Sequence, residues 1–302
     1  MTRTVSMLPA ATEIVAALGL VDQLVGVSHD CDYPAEATAR PRVTHCEIHG
    51  KGLPSAEVDR WVVEQLKSGG ALYTIDEGLM RELAPELILT QKLCDVCAPS
   101  YGSVRALADA LPSRPRVLNL EPRSLADVLG NVRAVAAAMG RPDRAEEVCA
   151  GLEQRVAAVV RRVAGLPRPT VFVLEWTDPL YTAGHWTPEL VRLAGGTPVL
   201  AAEGADSVRV AWDDLRAADP EVLVVACCGH DVERTRRDVP ILEALPGWHG
   251  LRAVRDRQVY LADGSAYFSR PGPRVVDTLE VLAALLHPDS CPRPTAGQAV
   301  PV

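Results

Sequence analysis

The stretch Asp143-Arg144-Ala145-Glu146-Glu147-Val148-Cys149-Ala150-Gly151-Leu152-Glu153-Gln154-Arg155-Val156-Ala157-Ala158-Val159-Val160-Arg161-Arg162-Val163 decides the fold. Its apolar residues Ala145, Val148, Leu152, Val156, Val159 and Val163 recur every three or four positions, the spacing of one helix face. Gly140-Arg141-Pro142 breaks the preceding pattern, and Glu146 follows Asp143 at capping-box spacing. Pro167 and Pro169 stop the helix, because proline cannot continue the hydrogen-bond ladder. A helix over 143–164 spans roughly 33 Å at 1.5 Å per residue. That is longer than a crossover in one small sheet needs, and fits a strut between two lobes.

On either side of it, short apolar runs alternate with helical patterns. Before it, strands are expected at 4–7, 24–28, 87–90 and 117–120, and helices near 10–19, 55–68, 77–84, 100–110 and 124–139. After it, strands are expected at 170–175, 198–201, 222–227 and 258–262, with helices near 187–194, 212–217, 240–244 and 273–286. Such alternation indicates parallel sheets faced by helices. The expected organisation is an N-terminal α/β lobe over 1–142, a linking helix over 143–166, a C-terminal α/β lobe over 167–288 and a flexible tail over 289–302. Four prolines and few large apolar groups over 288–302 suggest the tail.

Among the 302 residues, 48% are hydrophobic and 23% charged, as in soluble globular chains. A net charge of −8 argues against a nucleic-acid partner, which needs a basic stripe. No apolar run reaches the ~18 residues of a membrane span. The N-terminus shows no charged and apolar export segment, so a cytoplasmic location is expected. Reduced thiols are then expected at the eight cysteines, rather than a disulfide framework.

In a parallel sheet the loops after the strands line the ligand crevice. These loops carry Pro9 and Thr12; His29, Asp30 and Cys31; Gln91, Cys94 and Cys97; Glu175 and Trp176; His185 and Trp186; and Cys227. Tyr267 and Arg270 lie in a loop that feeds the last helix, with Arg270 suited to an anionic group. If the lobes face each other across these ends, the groups converge on one cleft. Cys94-x-x-Cys97 permits two thiolates on one metal or a redox pair, with Cys31 or His29 completing a set. Trp176 and Trp186 offer broad faces to a flat, largely apolar ligand. Motifs for nucleophilic hydrolysis, zinc proteolysis and nucleotide binding are missing: there is no GxSxG, HExxH or GxxxxGK[ST].

Leu8-Pro9-Ala10-Ala11-Thr12-Glu13, Ala17-Leu18-Gly19, Leu24-Val25-Gly26-Val27-Ser28 and Asp32-Tyr33-Pro34 together resemble the cobalamin-binding substrate-binding proteins of ABC importers. Pro85-Glu86-Leu87-Ile88-Leu89-Thr90-Gln91, Leu193-Ala194-Gly195-Gly196, Asp219-Pro220-Glu221-Val222-Leu223-Val224-Val225 and Phe268-Ser269-Arg270-Pro271-Gly272-Pro273-Arg274 extend the likeness over nearly the whole chain. The resemblance implies two α/β lobes joined by one long rigid helix, with the ligand between them. It also implies a non-catalytic protein that binds a small molecule: cobalamin or a related metal-containing chelate. The sequence departs from the family in lacking an export signal, in an insertion around His49 to Tyr73, and in adding Cys31, Cys46, Cys94 and Cys97. These departures argue against docking on an importer. Two other readings stand beside the leading one: a metal-binding protein or enzyme with zinc or an iron–sulfur centre on Cys31, Cys94, Cys97 and His29, and a thiol redox sensor.

Overall fold

The chain is seen here as a computed structural model, described over residues 1–92 and 98–302. It divides into two compact units. The first comprises Met1–Leu53, Arg60–Pro122 and Ala126–Gly151; the second comprises Pro54–Asp59, Arg123–Leu125 and Leu152–Val302.

The first unit begins with β1 (Thr4–Ser6), α1 (Pro9–Ala17), β2 (Leu24–Val27) and α2 (Ala35–Thr38). There follow β3 (Thr44–His45), α3 (Ser55–Ser68), β4 (Thr74–Ile75), α4 (Glu77–Leu83) and β5 (Leu87–Thr90). α5 (Tyr101–Ala110), β6 (Arg116–Asn119) and α6 (Leu125–Ala138) complete the series. The main sheet has the order β2-β1-β5-β6 with all pairs parallel, while β3 and β4 form a separate antiparallel pair. All four residues of β5 are buried, as expected for a strand covered on both faces. Val5, Met7, Ile88, Val104, Leu107 and Leu111 form the core between sheet and helices. Pro9 starts α1 at its first turn, where its missing N–H costs nothing.

The long helix α7 (Pro142–Val163) matches the strut read from the sequence to within one residue at each end. In the first unit it buries Ala145 and Cys149, and its Glu146 pairs with Arg133 of α6 at 3.0 Å.

The second unit continues with β7 (Thr170–Thr177), β8 (Leu180–Thr182), α8 (Thr187–Leu193), β9 (Thr197–Pro198) and α9 (Trp212–Ala218). Then come β10 (Val222–Val225), α10 (Val232–Arg236), α11 (Val239–Glu243), α12 (Arg252–Arg255), β11 (Val259–Ala262), α13 (Val275–Leu286) and β12 (Ala299–Pro301). Six strands form the sheet β12-β11-β10-β7-β8, with β9 added to β7. Its centre, β11-β10-β7, is parallel; β8 and β12 are antiparallel. Phe172, Leu174, Leu223, Val225, Leu261 and Trp248 lie in its core. α13 has ten buried residues, and its Asp277 and Glu280 both accept from Arg155 of α7, which ties the second part of that helix to this unit.

Two sequence expectations are corrected. Residues 289–302 do not form a flexible tail: Cys291 and Ala299 are buried, and β12 pairs with β11 from Ala262 to Tyr260. The backbone edge of β11 pairs with this segment, with the Val302 N–H donating to the Val259 carbonyl and the Asp263 N–H to the Gln298 carbonyl, each at 3.0 Å. The lobe boundaries are also less simple than a single cut, since Pro54–Asp59 and Arg123–Leu125 group with the second unit. No helix among the described residues is long and apolar enough to cross a membrane.

A π-helical turn at Gly264–Phe268 follows β11 and passes hard against the end of β10. A Cβ on Gly264 would lie 2.1 Å from the carbonyl oxygen of Cys227, so backbone meets backbone there. Gly264→Ala is therefore expected to destabilise the protein by about 2 kcal/mol or more, in the range for overpacking. Gly130 lies on the exposed side of α6 with nothing within 4 Å of its Cβ position. Gly130→Ala is expected to stabilise by about 0.5–1 kcal/mol. Urea unfolding of both variants checks the pair, and equal effects would contradict the packing.

Candidate functional site

Parallel pairing places the C-terminal ends of β1, β2 and β5 on one edge of the first sheet. Pro9 and Thr12 follow β1, His29, Asp30 and Cys31 follow β2, and Gln91 follows β5. Thr12, Cys31 and Gln91 are buried, while Pro9, His29 and Asp30 keep partial exposure. The Cys31 sulfur lies 3.1 Å from the hydroxyls of both Thr12 and Ser28. Burial pushes this thiol up, against the hydrogen bonds from Ser28 and Thr12 that favour the thiolate. Cys31 is thus a neutral thiol held among hydroxyls. Cys94 and Cys97, the other expected ligands, lie outside the described residues.

His29 makes a different set of contacts. Its Nε2 is 3.3 Å from Asp30 Oδ2, and Asp30 Oδ1 is 2.9 Å from Nδ1 of His49. The His29 Nδ1 lies 2.8 Å from the Thr44 hydroxyl, and its ring lies edge-on to His49 and tilted toward Tyr73. Burial holds the His29 pKa below its ordinary value; Asp30 opposes this, while His49, His45 and Arg42 add to it. His49 was legible in the sequence only as the start of an insertion, and Thr44 carried no signal at all.

In the second unit, Glu175 and Trp176 end β7, Cys227 follows β10, and Tyr267 and Arg270 follow β11. Trp176 and Tyr267 are half-buried, while Cys227 and Arg270 are buried. The Tyr267 ring carries the Arg274 guanidinium 5.5 Å from its centre, and Arg270 lies 3.3 Å from the Ser265 hydroxyl. His185 and Trp186 arrive differently from expectation. They follow β8, which runs antiparallel to β7 and returns alongside it instead of projecting past its end. Trp186 is consequently only 6% exposed, and its indole N–H donates to the Phe268 carbonyl at 3.2 Å. It serves the interior and has little face left for a ligand. His185 stays partly exposed, with Nε2 3.5 Å from Asp206.

Two buried carboxylates in this unit reach opposite states. Glu175 accepts from the Ser207 hydroxyl at 2.9 Å, but burial dominates and pushes its pKa up to about 7. Asp238 also suffers burial, yet hydrogen bonds from Ser55, Arg234 and Thr177 together outweigh it and hold the carboxyl below its ordinary 3.8. Thr177 donates at 2.8 Å and Arg234 at 2.9 Å, with Ser55 as the third donor. The indole N–H of Trp176 donates to the Ser55 carbonyl at 3.2 Å, and its ring lies 5.0 Å from that of His230. Cys227, His230 and Asp238 bring donor atoms within 4.8 Å of one another. With Asp238 already engaged by three donors, one of them a cation, this cluster reads as a hydrogen-bonded anchor for the end of β7. Ser55 and Asp238 had no place in the site read from sequence, because the two lie 183 positions apart.

A periplasmic binding protein family matches residues 5–266, and the chain belongs to that family. A vitamin B12-binding protein of Vibrio cholerae is 23% identical over 287 residues, covering 94% of this chain and 88% of that protein. Among solved structures, a periplasmic heme-binding protein from Pseudomonas aeruginosa superposes with a TM-score of 0.73 at 21% identity, covering 99% of this chain and 97% of the other. An ABC-type Fe3+-hydroxamate transport protein from Saccharomonospora viridis gives 0.66 at 26% identity, with 95% and 93% covered. The two α/β units with parallel sheets and the long helix are the architecture of this family. The protein is a ligand-binding protein of the type whose members include vitamin B12-binding and heme-binding proteins.

The two carboxylates give opposite pH signatures. Glu175 has a folded pKa above its ordinary 4.5, so its contribution to stability is complete below 4.5 and is lost as pH rises through about 7. Glu175→Gln is expected to gain stability relative to the wild type between about pH 5 and 8, read from urea midpoints; an unchanged difference would contradict the assignment. Asp238 has a depressed pKa, so its contribution is present above 3.8 and is lost as pH falls through its lower folded value. Asp238→Asn is expected to cost about 2–4 kcal/mol at neutral pH, because it removes the buried charge that pairs with Arg234 at 2.9 Å and that Ser55 and Thr177 donate to. That cost should shrink on acidification below pH 3.8, which the same titration measures.

Proposed function

We propose that this protein binds a corrinoid, cobalamin or a close relative, and carries out no reaction on it. The observation that carries this reading is the match of nearly the whole chain to a vitamin B12-binding protein, within a family fold that also accommodates other metal-containing chelates. Side chains at and around the strand ends of the second unit support it with groups suited to a broad, partly apolar ligand. Trp176 and Tyr267 supply half-buried aromatic faces, and His185 supplies an imidazole. Burial lowers the His185 pKa, more than Asp206 raises it, so a neutral ring nitrogen is favoured there. Free thiols at Cys31, Cys46, Cys149, Cys227, Cys228 and Cys291 fit a reducing compartment, and the proposal includes residence in the cytoplasm. Fractionation of the source cells tests that part.

Calorimetric and fluorescence titration with cobalamin, haemin and a ferric hydroxamate tests the ligand. Cobalamin is expected to bind and to quench tryptophan emission. Trp176→Ala is expected to weaken it by about 1–3 kcal/mol, the range for losing a buried large side chain, while Trp176→Phe keeps most of the affinity. Absence of heat and quenching with cobalamin overturns the corrinoid reading, and binding of haemin alone reassigns the ligand within the chelate class.

A further inference from the structure

His29, Asp30 and His49 belong to the first unit and come from two separate loops. His29 and Asp30 follow β2, and His49 follows β3 through a turn in which its N–H donates to the Cys46 carbonyl at 3.3 Å. Their donor atoms all lie within 4.8 Å of one another. From this geometry we infer that His29, Asp30 and His49 form a mononuclear site for a divalent transition cation of the zinc class, a function distinct from the chelate binding proposed above.

Two features of the cluster support it. Two imidazoles and a carboxylate are a donor set that zinc takes readily, with bonds of about 2.0–2.2 Å. Asp30 presents one carboxylate oxygen to each imidazole, Oδ2 to His29 Nε2 at 3.3 Å and Oδ1 to His49 Nδ1 at 2.9 Å, so the three side chains already converge on one point. The Thr44 hydroxyl is the second feature. It accepts the backbone N–H of His29 at 3.0 Å and stands 2.8 Å from His29 Nδ1, so a proton on Nδ1 can be shared with it while Nε2 faces Asp30. Metal-binding histidines characteristically have such a partner on the second ring nitrogen, which fixes tautomer and orientation.

The donor number separates this site from one for a chelated metal. A macrocycle fills the equatorial positions of its metal and leaves one axial position on each face. Only one of three convergent donors could reach it. Three donors on one side of a point suit a bare ion, with a water completing four-coordination. Half-exposed His49, whose side chain is 54% accessible, provides the way in.

The test uses full-length protein freed of metal by a chelator, with no corrinoid present, so that its outcome is independent of the chelate reading. Zinc is titrated by calorimetry and cobalt(II) by visible absorption. One equivalent is expected, and the cobalt complex should show tetrahedral bands without thiolate-to-metal charge transfer. Asp30→Asn and His49→Ala are each expected to weaken zinc by at least tenfold, and Thr44→Val by about tenfold. His49 is exposed, so its variant tests the site without disturbing the core, and circular dichroism verifies folding. Binding must persist in a Cys94→Ser/Cys97→Ser double variant. No zinc uptake, uptake unchanged in His49→Ala, or uptake abolished in the cysteine double variant each overturns the inference.

Discussion

Parallel strand pairing sets the terms for the rest of this structure. A strand that pairs in parallel must be reached by a chain that has crossed back over the sheet, so successive strands finish on the same edge. In the first unit β1 lies between β2 and β5, and in the second β10 lies between β7 and β11. The helices that make the crossings bury both faces of these strands, which is why Leu87-Ile88-Leu89 and Val222-Leu223-Val224-Val225 are wholly apolar. Polar side chains are displaced to the loops where the strands stop. The chemistry of the protein is concentrated there because the sheets tolerate it nowhere else.

What each polar group does at those ends depends on how many donors reach it. Glu175 and Asp238 both pay for leaving water, and they resolve the cost differently. Glu175 has a hydroxyl and a nearby amide but no cation, and its protonated form is favoured up to about pH 7. Asp238 has two hydroxyls and a guanidinium, and it keeps its charge. Cys31 follows the first pattern, since two hydroxyls are too little to offset its burial and the thiol stays neutral. Desolvation is the common term, and the surrounding hydrogen bonds decide the sign.

The same accounting separates the two clusters of potential metal donors among the described residues. Around Cys227, His230 and Asp238 the carboxylate is already held by Ser55, Thr177 and Arg234, and the neighbouring guanidinium opposes a cation. Around His29, Asp30 and His49 the carboxylate lies between two imidazoles, and a hydroxyl backs one of them. Similar residue types thus produce a structural anchor in one unit and a cation-binding geometry in the other.

Local pattern alone determined most of the fold. The three-to-four spacing from Ala145 to Val163, closed by Pro167, places α7 to within one residue, and apolar runs such as Leu87–Thr90 place the strands. It also placed His29, Asp30, Glu175, Trp176 and Cys227 beside strand ends, because a strand end is marked by where the apolar run stops. Tertiary structure decided the rest. Strand direction cannot be read from a three-residue run, so the antiparallel course of β8, which buries Trp186, was hidden. The edge of β11 that recruits Ala299–Pro301 exists only once the sheet has formed. The meeting of His49 with Asp30, and of Ser55 with Asp238, joins residues that share no periodicity. Such contacts are fixed by how the loops close over the sheets, a property of the assembled backbone that no window of sequence contains.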